Sequence, residues 1–189
     1  VKDVRVYFVG AHATGKTTLA RYVSRRFGLP LLTEVARSVL AERELTIQSL
    51  RSDLEVVDAY QSAVFQRQVA EESKHQTFVS DRSFDNLAYA AQHARILHGL
   101  IDSAGLECYV QSLQKEETII FFVRPSQITL KDDGVRESVA WDDVIAIDAC
   151  VKFMLEMWGL RYFTLSMSSL QERARLVDAV LGMTGLSPL

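Results

Sequence analysis

Cysteine is nearly absent. Cys108 and Cys150 are the only two, and they are far from C-x-x-C spacing, which excludes a disulfide scaffold and leaves no thiolate pair for a structural zinc site. The histidines (His12, His75, His93 and His98) contain no H-x-x-x-H pair either. Neither thiol has a neighbour that gives reason to call it a nucleophile. Proline and glycine are sparse, at 3 and 9 residues, too few for a collagen-like or low-complexity chain. No apolar run approaches the ~20 residues that span a bilayer, and the apolar stretch 4–9 runs into a glycine loop rather than a small-residue cleavage site. An excess of one charge is missing too: 21 Lys and Arg face 24 Asp and Glu, a formal charge of -3. Such a chain has no global attraction to nucleic-acid phosphates, although a local basic groove stays open. The expectation is a cytoplasmic protein with reduced thiols and no membrane partner.

What is present is ordinary for a globular protein: 48% apolar and 24% charged residues in a chain of 189. That length suits one domain over residues 1–189. Apolar runs and helical periodicities alternate along it. Strands are expected at 4–9, 31–33, 77–80, 118–123 and 162–165, the fourth a fully buried run. Helices are expected at 16–27, from 34 to about 45, from 46 to about 73, from 83 to about 94, and at 103–114, 142–158 and 168–181. In the third of these, Leu50, Leu54, Val57, Tyr60, Ala63 and Val64 recur on one face, and the charges of 66–74 read as a solvated face. Residues 126–140 hold the turn Asp132-Asp133-Gly134 and little periodicity, so a loop or short hairpin is expected there. The alternation implies an α/β architecture, a parallel sheet covered on both faces, whose ligands bind at the carboxyl ends of the strands.

At the end of the first expected strand, Gly10-Ala11-His12-Ala13-Thr14-Gly15-Lys16-Thr17 matches G-x-x-x-x-G-K-[ST] and runs directly into a helix, the setting a phosphate-binding loop requires. Glycines let backbone N–H groups turn inward around an anion, and the helix adds its positive end. Gly10, Ala13, Thr14, Gly15, Lys16, Thr17 and Thr18 form the expected ATP cradle. Lys16 would bridge the β- and γ-phosphates and the Thr17 hydroxyl would bind Mg²⁺, while Thr18 also suits plain helix surface. His12 reads as an exposed loop residue. Phosphoryl transfer further needs a carboxylate at the end of a neighbouring strand. Asp81 ends the third strand and is placed either to bind Mg²⁺ or to accept the hydroxyl proton, with helix capping as the plain alternative; Ser83 reads as a cap. Glu34 is the second candidate base, with Arg37 one turn on. Asp85 suits acceptor hydroxyls or the first turn of a helix. Arg136 in the 126–140 loop, or Arg124, is placed to meet charge on the transferred group. Aromatic residues such as Tyr60, Phe65, Phe84, Tyr89 and Trp141 read as core.

Four segments together carry a resemblance: Gly10-x-x-x-x-Gly15-Lys16-Thr17-Thr18-Leu19-Ala20, Thr33-Glu34-Val35-Ala36-Arg37, Asp81-Arg82-Ser83-x-Asp85-x-x-Ala88-Tyr89 and Asp133-Gly134-Val135-Arg136. In these the chain resembles the P-loop kinases of the nucleoside/nucleotide type, in particular the ribosylnicotinamide kinase-like branch that often carries the AAA label. That branch includes phage enzymes acting on hydroxymethylpyrimidines in DNA. The resemblance implies a three-layer P-loop NTPase sandwich with a five-stranded sheet in the order 2-3-1-4-5 and a small lid at about 125–140. It implies that Glu34 and Asp81-Arg82 face the transferred phosphate and the acceptor, with Arg37, Arg82 and Asp85 as acceptor-binding residues and Arg136 as the lid arginine. No AAA-type sensor segment or trans-acting arginine pattern is found, which speaks against a hexameric motor. Three functions stay open: an Mg·ATP-dependent kinase for a nucleoside- or nucleotide-type hydroxyl, a kinase for hydroxymethyl bases in DNA, and an NTP-hydrolysing switch. Oligomeric state is open as well, a homodimer included.

Overall fold

The computed structural model describes residues 3–33, 38–39, 54–85, 87–88, 104–126 and 141–189. In chain order its elements are β1 (Arg5–Val9), α1 (Lys16–Phe27), β2 (Leu31–Leu32), α2 (Leu54–Glu72), β3 (Phe78–Ser80), α3 (Ala104–Leu113), β4 (Thr118–Val123), α4 (Trp141–Met157), β5 (Tyr162–Leu165) and α5 (Leu170–Met183). Strands form where the sequence is β-branched and aromatic. Where apolar residues return every three or four positions, the chain winds into helix.

The strands make one parallel sheet in the order β2-β3-β1-β4-β5, the order the resemblance implies. Alternation along the strands divides the core into two layers. On one face Val6, Phe8, Val79, Ile119, Phe121 and Val123 meet Leu19, Ala20 and Val23 of α1 and Val177, Val180 and Leu181 of α5. On the other, Tyr7, Val9, Phe78, Ile120 and Phe122 meet Phe65 of α2, Tyr109 and Leu113 of α3, and Val144, Ile147 and Val151 of α4. Every residue of β4 is buried, as its unbroken apolar run requires of a strand covered on both sides. Phe8 and Phe121 stack across β1 and β4 with ring centroids 5.2 Å apart. No described helix is long and apolar enough to cross a membrane.

Element ends differ from the sequence expectation by a residue or two. The last helix begins at Leu170 with Ser169 as its cap, Oγ accepting the Glu172 N–H, so the start at 168 was too early. Two larger corrections concern charge. Within the expected solvated stretch 66–74, Gln68 and Glu72 are buried, at 1% and 5% exposure. Arg124, expected to meet charge on the transferred group, is held elsewhere: its guanidinium lies 2.8 Å from Asp148 of α4 and over the Phe122 ring. Glu34, Arg37, Tyr89, most of the expected 34–45 helix, and Arg136 with the lid from residue 127 onward lie outside the described residues.

Candidate active site

At the carboxyl edge of the sheet, β1 ends in Gly10 and the chain turns to α1 through three left-handed or glycine-only conformations: Gly10 (φ 144), Ala13 (φ 57) and Gly15 (φ 93). A side chain at Gly10 would place its Cβ 2.4 Å from the Val123 carbonyl oxygen of β4. Ala13 is the non-glycine residue with positive φ among those described, and such strain is characteristic of ligand loops. Gly15 caps α1 without a side-chain hydrogen bond, and the first turn holds no acidic residue. Its N–H groups and positive end are therefore directed to the loop rather than to a carboxylate of the helix itself.

Lys16 folds back into the loop. Its Nζ donates to Gly10 O (2.8 Å) and Ala11 O (2.6 Å) and lies 4.0 Å from Asp85 Oδ2. Thr14 is buried and donates to Ala11 O at 2.9 Å, closing the loop on itself. Thr17 Oγ1 donates to Asp81 Oδ2 at 2.5 Å, and Thr33 Oγ1 donates to the same oxygen at 3.2 Å. Asp81 is thus joined to the cradle threonine and to the end of β2. Thr17 and Asp81 present hard oxygen donors side by side, the donor chemistry Mg²⁺ prefers. Thr18, by contrast, is exposed on α1, and His12, expected at the surface, is half-buried.

Asp85 is 1% exposed and its Oδ1 accepts the Ser83 N–H at 2.7 Å. Its carboxylate holds the turn after β3 and faces Lys16. Ser83, expected as a cap, is buried, and its hydroxyl pairs with the Tyr109 phenol at 2.8 Å. Behind this turn lies a polar cluster that sequence reasoning missed. Glu72 accepts from Tyr7 (2.6 Å), Gln68 (2.7 Å) and Tyr109 (2.8 Å). Gln68 also donates to Ser80 Oγ (3.2 Å), whose hydroxyl donates to Arg82 O (2.7 Å). Burial pushes the Glu72 carboxyl above its ordinary value against the opposing pull of these donors, and burial also raises both tyrosines well above theirs. A signal was present: Gln68 and Glu72 continue, four residues apart, the stripe of Val57, Tyr60 and Val64. Tyr60 is buried like Phe65 and Phe84, and the nearby Arg82 charge partly offsets the rise that burial gives its phenol.

The geometry brings together Lys16, Thr17, Thr33, Asp81 and Asp85. It does not bring Arg124 to them, because Asp148 holds its guanidinium.

Comparison with known proteins adds a family and a fold. A family model described as an AAA domain matches residues 5–173. No curated protein matches the chain. Among solved structures, deoxyadenosine kinase from M. mycoides, with products dCMP and dCDP bound, superposes with a TM-score of 0.67 at 12% identity, over 96% of this chain and 100% of that one. NadR protein in complex with NR gives a TM-score of 0.74 at 19% identity, over 99% of this chain and 53% of that one. Shikimate kinase from Acinetobacter baumannii, in complex with shikimate, gives 0.55 at 14% identity, over 95% of this chain and 94% of that one.

Proposed function

Because the chain belongs to the AAA domain family and carries its phosphate-binding loop beside two carboxylates, we propose that it is an ATP-dependent kinase transferring the γ-phosphoryl group to an acceptor hydroxyl. The observation that carries this reading is the contact between Thr17 and Asp81 next to Lys16. An anion cradle alone serves binding or hydrolysis. A carboxylate at the end of the neighbouring strand supplies what transfer to a hydroxyl further needs.

In the proposed mechanism Gly10–Lys16 wraps the β- and γ-phosphates, and Lys16 exchanges its loop carbonyls for phosphate oxygens. Thr17 and Asp81 are the residues that would hold Mg²⁺, which supplies charge neutralisation on the phosphate oxygens. The acceptor oxygen bonds to the γ-phosphorus, the bond to the ADP oxygen breaks, and the hydroxyl proton passes to a carboxylate. Asp81 and Glu34 are the two candidates for that proton. Asp85, fixed by the Ser83 N–H, holds the Lys16 charge in place, and Arg82 and Arg37 are assigned to the acceptor side. Arg136 is assigned to the closing lid. Rate would come from proximity and placed charge rather than from covalent chemistry.

The acceptor class proposed is a nucleoside or nucleotide. Two observations support it: the sequence segments around Glu34 and Asp81, and a fold shared with a deoxyadenosine kinase and with a protein that binds NR. Lys16→Ala is expected to cut acceptor-dependent ATP consumption by at least about a hundredfold while the protein stays folded. A variant with near-normal kcat would contradict the reading.

A further inference from the structure

Arg173 lies on α5, 1% exposed, among the largest fully buried side chains of the described residues. A guanidinium keeps its charge and brings five N–H donors, so burying it is costly unless acceptors surround it. Three backbone carbonyls do so. Nε donates to Met167 O (2.5 Å), Nη1 to Thr14 O (2.8 Å) and Nη2 to Arg124 O (2.9 Å). These belong to the connection before α5, the cradle, and the residue after β4. The ion pairs among the described residues are formed by Lys16, Arg26, Lys74 and Arg124, so no described carboxylate neutralises Arg173. Among the described residues the charge is compensated by carbonyl dipoles, and it sits directly behind the phosphate-binding loop.

The contact with Thr14 has a geometric consequence. All described peptide bonds are trans, so the Gly15 N–H points opposite to the Thr14 C=O in one rigid plane. Drawing the Thr14 oxygen back onto Arg173 turns the Gly15 N–H away from α5, and a charged donor on the carbonyl polarises that amide into a better donor. We propose that Arg173 is a positioning residue for the cradle: it holds the Thr14–Gly15 peptide with the Gly15 N–H turned to the bound polyphosphate and places behind it a positive charge that no described carboxylate opposes. A clasp needed only to join three segments would not require a full charge in a buried position. An anion on the far side of the loop does make use of one.

This inference rests on the polyphosphate-binding reading of the cradle, and calorimetric titration separates the two. ATP, inorganic tripolyphosphate and adenosine are titrated into the wild type, Arg173→Lys and Arg173→Gln. For R173Q, the expected result is a loss of roughly tenfold or more in affinity for ATP and for tripolyphosphate, with adenosine unchanged. R173K, which keeps the charge but not the fork, is expected to lose less. Equal tripolyphosphate affinity in wild type and R173Q would overturn the role of Arg173 and leave the cradle standing. Losses of the same size for adenosine would reduce Arg173 to a structural clasp and equally overturn the proposal. A wild type that binds neither ATP nor tripolyphosphate would overturn both. Should the variants fail to fold, the wild-type Gly15 amide decides, by its proton shift on adding tripolyphosphate. A large downfield move is expected, and no response while other loop amides respond would overturn the orientation.

Discussion

In the proposed reaction individual side chains at the carboxyl edge carry most of the chemistry, and their contacts separate two kinds of demand. Gly10 answers a steric one. A Cβ there would stand 2.4 Å from the Val123 carbonyl in a backbone region that side-chain-bearing residues rarely adopt. Gly10→Ala is therefore expected to lose at least about 2 kcal/mol of stability, read as a lower urea midpoint at unchanged slope. A midpoint equal to wild type would mean the loop relaxes without cost. Asp81, whose Oδ2 accepts from both Thr17 and Thr33, answers a chemical demand in the proposed reaction. Asp81→Asn keeps the shape and removes the charge. It should lower kcat by about a hundredfold or more while ATP still binds. Unchanged turnover would assign the proton to Glu34. The glycines and Lys16 were legible in the sequence because the motif prescribes residue types for backbone reasons. Arg173 was not, because an arginine in a helix is ordinarily solvated. Only its place on the stripe with Val177 and Val180 marks it as inward-facing.

Elements matter here chiefly through α2 and the turn it supports. The apolar runs of β1 and β4 announce buried strands, and the helices on either side follow from their periodicity. Charge hid the polar end of α2. Glu72 and Gln68 belong to its buried face, where Tyr7 and Tyr109 donate to the carboxylate and the Gln68 amide N–H groups reach Glu72, Ser80 and the Arg82 carbonyl. Hydrogen bonding across elements cannot be read from one segment, because each partner comes from a distant part of the chain. In the unfolded chain Glu72 ionises near the usual pH of about 4.3, whereas burial holds its folded carboxyl above the ordinary value. As pH rises past the unfolded value, the unfolded state loses its proton first and the wild type loses stability on this account. Glu72→Gln lacks the titration. The stability of wild type minus that of the variant should thus shrink as pH rises from about 4 to 7, measured by denaturant melts across that range. A gap that widens over the same range would mean that the donors from Tyr7, Gln68 and Tyr109 outweigh burial.

For the molecule as a whole, the sheet order explains why these residues meet at all. With β1 between β3 and β4, the loop after β1 lies beside Asp81 on one flank and beside Arg124 and Arg173 on the other. Sequence alternation was enough to foresee a parallel sheet, and with it the edge at which the proposed site lies. The order came from the family resemblance, since strand neighbours are set by crossovers that local patterns do not encode. The acceptor is equally illegible in one dimension, because specificity resides in pocket shape and a few placed polar contacts. The formal charge of -3 fits a small free acceptor better than a polymer of phosphates. The most direct test of the kinase reading follows the terminal phosphate itself. ATP labelled in the γ-phosphoryl group is incubated with the protein, Mg²⁺, and in turn nucleosides, nucleotides, nicotinamide riboside and hydroxymethylpyrimidine-containing DNA. The label should appear on a nucleoside- or nucleotide-type hydroxyl, identified by mass. Label found as inorganic phosphate alone, whatever acceptor is supplied, would contradict the proposal and leave a nucleotide-hydrolysing switch in its place.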